Sequence, residues 1–230
     1  MSLILNIDTS TSVAYVSIAT QGNVIQSVTN ANRLEHAAFL HVAIGDLLKA
    51  NSIHISQLDA VAVIVGPGSY TGLRIALSTA KGLCYALHKP LVILNSLEVL
   101  VYSATNTLDM GGEVPPVLFC PMLDAVNMEV FTAVYDRKLT CLEPPSLLII
   151  NELSFQELLD IQPVIFLGSG TIKWKKICIH PNAIFEDISF TPEFIPLLSA
   201  RKYAQFAFSD MAYIEPLYLK EPFISVKGKP

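Results

Sequence analysis

The sequence predicts an α/β fold made of two similar halves, each a mixed β-sheet flanked by helices. Three observations carry this expectation. Hydrophobic periodicity gives three strands followed by alternating helix and strand, and the same order recurs after the Gly111–Pro116 stretch, Gly-Gly-Glu-Val-Pro-Pro. Leu58 to Val65 is apolar almost throughout, as a strand covered on both faces must be. The 230 residues are 52% hydrophobic and only 15% charged, which excludes disorder, collagen-like repeats and a coiled coil. So few charges also leave little with which to cover a solvated surface, and point to a partly apolar interface. The halves are expected to be residues 1–110 and 111–230.

In the first half, Leu3 to Asp8 reads as a buried strand, Val13 to Thr20 as a second, and Gly22-Asn23 as the turn into a third, Val24 to Thr29. Leu34 to Ala50 then repeats apolar residues at helical spacing. After the strand Leu58 to Val65 comes a helix, Thr71 to Leu87, stopped by Lys89-Pro90. A short strand, Leu91 to Leu94, and a helix from Ser96, its expected cap, to Thr105 complete the half. In the second half the strands are Val117 to Leu123, Glu129 to Tyr135, a third near Leu139 extended at Leu147 to Ile150, Val164 to Leu167, and Ala183 to Phe185. The helices are Glu152 to Asp160, Thr171 to Ile177 and Ile195 to Phe208.

Several classes drop out. The longest strictly apolar run, Ala60 to Val65, is far short of the about 20 residues a membrane-spanning helix needs. The N-terminus has no basic region and meets an acid at Asp8, so it does not read as a signal peptide, and the chain is expected in the cytoplasm. Cys84, Cys120, Cys141 and Cys178 are too dispersed for a zinc ribbon or disulfide framework and read as free thiols. Net charge is −5 and neither half is basic, against a dedicated nucleic-acid-binding domain. His36 and His41, five apart on one helix, point too far from each other to chelate one metal, and no Gly-x-Ser-x-Gly elbow offers a hydrolase nucleophile.

The duplication places Asp8 and Asp124 at the ends of equivalent strands. Facing each other across a cleft, they would suit a divalent cation with phosphates; alternatively each caps its own turn. The segment Gly66-Pro67-Gly68-Ser69-Tyr70-Thr71-Gly72-Leu73-Arg74 follows a buried strand and opens a helix. Its amides could cradle an anion. It matches neither a Walker A loop nor Gly-x-Gly-x-x-Gly, and it can equally be a strand-to-helix turn capped by Ser69 or Thr71. Arg74 is the sole charge in the first turn, where the helix dipole disfavours it, so a carboxylate or phosphate partner is expected. Lys173-Trp174-Lys175-Lys176 is either a small RNA contact or a solvated face.

The two long helices have unusual surfaces. Leu34 to Ala50 is apolar nearly all round, and Thr71 to Leu87 carries two rows of small residues, Gly72-Ala76-Ala80 and Ser78-Gly82-Ala86. Both are expected to pack on another subunit, through His36, Leu40, Ala43 and Leu47 of the first and Gly72, Leu73, Ala76, Leu77 and Ala80 of the second.

Ile7-Asp8-Thr9-Ser10, Arg33-Leu34-Glu35-His36, the Gly66–Ile75 loop, Leu123-Asp124-Ala125 with Glu129-Val130-Phe131, and the tail Glu215-Pro216-Leu217-Tyr218-Leu219-Lys220 resemble the TsaB (YeaZ) family. The likeness is dense over residues 3–135, thin from 140 to 210, and returns at the tail. The resemblance implies an actin/Hsp70-like fold with two ribonuclease-H-like halves. It further implies a non-catalytic subunit of the machinery that places a threonylcarbamoyl group on the adenosine beside the anticodon of tRNAs reading codons that begin with A. Such a subunit pairs with a related catalytic subunit, TsaD, and with a small ATPase, TsaE, through the two N-terminal-half helices, and forms a homodimer alone. ATP and Mg²⁺ are then used by the partners, no cofactor is held strongly by this chain, and tRNA is met through the complex. Val126 and Asn127 stand where the family commonly has basic residues, and the His pair of the catalytic sibling has no counterpart. Two rivals remain: an ATPase or sugar-type kinase of the same fold holding Mg-nucleotide with Asp8, Asp124 and the glycine loop, and a glycoprotease-like peptidase.

Overall fold

The computed structural model describes residues 2–108 and 117–221, apart from the side chain of Arg33; the Gly111–Pro116 stretch lies outside the described residues. The first sheet contains β1 (Leu3–Asp8), β2 (Ala14–Thr20), β3 (Asn23–Asn30), β4 (Ala60–Gly66) and β5 (Leu91–Asn95), in the order β3-β2-β1-β4-β5. β1–β2 and β2–β3 pair antiparallel, and β1–β4 and β4–β5 parallel. The second sheet contains β6 (Leu118–Asp124), β7 (Glu129–Tyr135), β8 (Cys141–Ile149), β9 (Val164–Leu167) and β10 (Ala183–Glu186), in the order β10-β9-β6-β7-β8. Read from the other edge, that is the first order repeated with the same strand directions. Each half thus has the ribonuclease-H-like arrangement, and the pair makes the actin/Hsp70-like fold.

The helices are α1 (His36–Ala50), α2 (Tyr70–Leu87), α3 (Ser96–Thr107), α4 (Gln156–Leu159), α5 (Thr171–Trp174) and α6 (Phe194–Ala204). A 3-10 turn, Arg33–Glu35, capped by Asn32 precedes α1, so the regular helix starts two residues later than its apolar pattern. Asn95, not Ser96, caps α3 by accepting from the Leu97 amide at 2.8 Å; the Ser96 hydroxyl instead donates to Pro67 O at 2.8 Å, tying α3 to the glycine loop.

Helices cover both faces of the first sheet. α1 and α2 seal one face with Leu40, Leu47, Ala76 and Ala80 against Leu5, Val16, Val61 and Val63. On the other face, Val99 of α3 and Ile195 and Leu198 of α6 pack on Ile4, Ala62 and Ile64. β4 is therefore buried at every position, which is why its sequence does not alternate. α3 sits between the sheets, since its Leu97, Leu100 and Ala104 pack on Phe119, Ala133 and Ile165 of the second. The far face of the second sheet is filled by Phe155, Phe166, Trp174 and Phe185.

A division at residue 110 describes the sheets but not the whole packing. α6 returns to the first sheet, with the buried Ser199 hydroxyl donating to Asn6 Oδ1 at 2.6 Å. Beyond it the Ser209 amide donates to Leu91 O at 2.9 Å and the Leu217 amide to Val65 O at 2.8 Å. These are pairings across more than a hundred residues, which local patterning cannot show.

Candidate functional site

The turn after β1 and the loop before α2 interlock backbone to backbone. The Ser69 amide donates to Ser10 O at 2.7 Å, and the Thr9 hydroxyl to Gly72 O at 2.6 Å. A Cβ on Gly68 would lie 2.6 Å from Ser10 O, and one on Gly72 only 1.8 Å from Thr9 O. Gly66 has φ +129°, open to glycine, and faces Leu217. The glycines thus admit the chain's own backbone. Ser69 caps α2 by accepting from the Gly72 amide at 3.3 Å, while Thr71 is exposed and does not cap.

Asp8 ends β1 fully buried and accepts from the Ser10 amide at 2.7 Å. Burial pushes its carboxyl up to about 6, against the lowering pull of the Ser10 hydrogen bonds. Asp124 ends β6 more exposed, accepts from the Val126 amide at 3.2 Å and pairs with Lys173. Both acids therefore close their own turns. Lys173 also donates to Asn127 O at 2.6 Å and Glu129 O at 2.7 Å, and Trp174 is fully buried, donating to Asn151 O at 3.2 Å. The Lys173–Lys176 segment thus spends its aromatic and first lysine inside the protein and is not an RNA-stacking patch. Val126 and Asn127 occupy the hairpin tip with φ +73° and +51°.

Between the halves lies a cleft of about 610 Å³. Of the residues read as nucleotide or anion candidates, Gly68, Ser69 and Asp124 line it; Asp8, Gly66, Thr71 and Arg74 do not. The C-terminal segment crosses it: Leu217 is bonded to β4, and Lys220 pairs with Glu129 and donates to Ala125 O at 3.4 Å. Among the described residues, no three His, Cys, Asp or Glu side chains converge on a metal position.

Arg74 has partners other than the expected carboxylate or phosphate. Its Nε donates to the Tyr218 hydroxyl at 2.8 Å and its Nη2 to the Tyr70 hydroxyl at 2.6 Å, with the guanidinium 4.3 Å from the Tyr70 ring centre. Tyr218 comes from the tail, a contact the sequence did not signal.

The helices depart from expectation in which rows face outward. His36, Leu40, Ala43 and Leu47 of α1 and Gly72, Leu73, Ala76, Leu77 and Ala80 of α2 are all buried against the chain's own sheet. The reason is steric. A side chain at Gly72 would collide with Thr9 O, and Ala76, Leu77 and Ala80 after it pack in one core cluster with Val61 and Val63 of β4. The outward rows are Ala37, Ala38, His41, Val42 and Gly45 on α1, and Ser78, Gly82, Tyr85 and Ala86 on α2. A Cβ on Gly45 or Gly82 would meet nothing within 4 Å. Val42 and Tyr85 are 63% and 78% exposed, large apolar groups in water.

The chain is 31% identical over 196 residues to the tRNA threonylcarbamoyladenosine biosynthesis protein TsaB of Bacillus subtilis, covering 84% of this chain and 79% of that protein. It belongs to the TsaB family. A TsaB protein of Buchnera aphidicola is 34% identical over 93 residues, 40% of this chain and 42% of its own length. The family model for TsaD, tRNA N6-adenosine threonylcarbamoyltransferase, matches residues 23–191. A Pseudomonas aeruginosa crystal structure, described as similar to peptidase YeaZ, superposes with a TM-score of 0.77 at 25% identity, covering 96% of this chain and 100% of that one. TsaB proteins take part in tRNA threonylcarbamoyladenosine biosynthesis, and the long helices of the first half fall within the TsaD-like region. No helix among the described residues is long and apolar enough to cross a membrane.

Proposed function

We propose that this chain is a scaffold and activating subunit for threonylcarbamoyl transfer to tRNA, docking on a TsaD-type catalytic subunit through the outward faces of α1 and α2. The carrying observation is the composition of those faces: Ala37, Ala38, Val42, Gly45, Ser78, Gly82, Tyr85 and Ala86 outnumber the charges among them, Asp46 and Lys49 on α1 and Arg74 and Lys81 on α2. Small residues let a partner's helices approach closely. A second copy takes the same place when the chain is alone. A TsaE-type ATPase completes the cytoplasmic assembly, ATP and Mg²⁺ serve the partner subunits, and tRNA is reached through the complex. The engagement of Asp8 and Asp124 in their own turns favours this over a kinase or ATPase.

The test is light scattering of the chain alone and mixed with a TsaD-type subunit, for the native sequence and for Gly82→Trp. The open space at Gly82 lets the ring point into solvent, so the variant keeps its fold and loses both assemblies. A native mass of one chain, unchanged by the partner, refutes the proposal.

A further inference from the structure

Arg74 is an exposed cation held in a fixed pose, and among the described residues no carboxylate ion-pairs with it. The rings of Tyr70 and Tyr218 stack with centroids 4.2 Å apart, and the guanidinium bonds to both hydroxyls. The segment that delivers Tyr218 is itself fixed on both sides, by Leu217 to Val65 O and by Lys220 to Glu129. Ordering a long side chain costs rotamer entropy, and here that cost is met without an ion pair.

The donor count shows what is left over. Each phenol accepts from Arg74 and so retains its own O–H to give. The guanidinium keeps further N–H groups after the two contacts named. Arg74 and Tyr218, though not Tyr70, border a shallow recess of about 310 Å³ that Ser78 and Lys81 also line, with Glu215 as its one acid. Arg74, Ser78, Gly82 and Tyr85 follow one another at helical spacing on the exposed face of α2, so the recess opens onto the proposed docking surface.

We infer that Arg74, clamped by Tyr70 and Tyr218, is the anchor for a carboxylate presented by the protein that docks on α2; the inference rests on the docking function proposed above. Arginine and tyrosine in a pre-ordered arrangement are the side chains that concentrate binding energy at interfaces. A planar guanidinium also suits a carboxylate better than a point charge does.

The experiment titrates native chain, Arg74→Gln, Arg74→Lys and Tyr218→Phe against a TsaD-type subunit, at about 50 mM and about 500 mM salt, with melting curves to confirm folding. At low salt Arg74→Gln should bind about tenfold more weakly, Arg74→Lys and Tyr218→Phe should fall between, and the differences should shrink at high salt. Native-like affinity of Arg74→Gln overturns the anchor while leaving docking intact. Failure of the native chain to bind overturns both. Inorganic phosphate is titrated into the chain alone as a further arm. Heat that is lost in Arg74→Gln would assign the site to phosphate and overturn the carboxylate.

Discussion

Replacing Asp8 by Asn should make the protein more stable at neutral pH and should remove one component of its pH dependence. Asp8 is wholly buried, and its carboxyl is raised from 3.8 to about 6. Between those values the folded state holds a proton that the unfolded chain releases, so stability falls as pH rises through this window. A shift of about two units at 1.36 kcal/mol each makes the ionised carboxylate cost about 3 kcal/mol at pH 7.5 relative to pH 3.5. Asn keeps the oxygen that accepts from the Ser10 amide and never ionises. Urea unfolding of both proteins at several pH values from 3.5 to 7.5 isolates the effect. Other groups, such as Asp136, whose carboxyl is lowered by bonds from Thr140 and Lys138, titrate in both proteins and cancel in the difference. The stability of Asp8→Asn minus that of the native chain should climb by about 3 kcal/mol across the window. A difference that stays flat, or that falls with pH, would refute the burial argument.

Two further substitutions separate the inward and outward rows of α2. Ala76 is fully buried against the first sheet, so Ala76→Trp should destabilise by about 3 kcal/mol or more and lower the melting temperature, whereas Gly82→Trp, compared at a dilution where the native chain is monomeric, leaves it unchanged. Gly72→Ala puts a methyl into Thr9 O and should cost about 3 kcal/mol in urea unfolding, although alanine is the better helix former; a stabilised variant would mean the β1 turn and α2 are not in contact.

What was legible in the sequence was what is local. β1, β4, α1 and α2 lie within two residues of their patterns, because a doubly covered strand and a long apolar helix have strong periods. Ser69 and the turns at Asp8 and Asp124 were among the readings their residue types allowed, but the cap of α3 lies one residue earlier than expected, at Asn95 instead of Ser96. The inward row of α2 was not legible, because two parallel rows of small residues look alike in one dimension. A signal was present nonetheless: Ser78 and Lys81 mark the wet side, and His41, Asp46 and Lys49 mark it on α1. Arg74 was assigned an acidic partner on dipole grounds, and its tyrosine clamp was hidden because Tyr218 lies 144 residues away. Lys173–Lys176 was read as an RNA contact or a solvated face, and neither reading placed Trp174, whose ring fills the space between Phe155, Phe166 and Phe185 while Lys175 and Lys176 stay exposed.

The inequality of the two halves bears on why the outward faces exist. Both sheets have the same topology, yet the crossover helices of the second half, α4 and α5, are four residues each, against fifteen and eighteen for α1 and α2. A sheet of this size can therefore be sealed without long helices, provided aromatic side chains fill the layer, as they do around Trp174. α1 and α2 exceed that need, and their far sides add Val42, Tyr85 and open glycines that contribute nothing to the chain's own core. A glycine inside a helix weakens it by about 1 kcal/mol relative to alanine. Two of them on outward rows, with nothing of this chain near them, make sense where a neighbouring backbone comes close. An interface of ordinary size buries about 800 Å² per partner, which two such helices can supply.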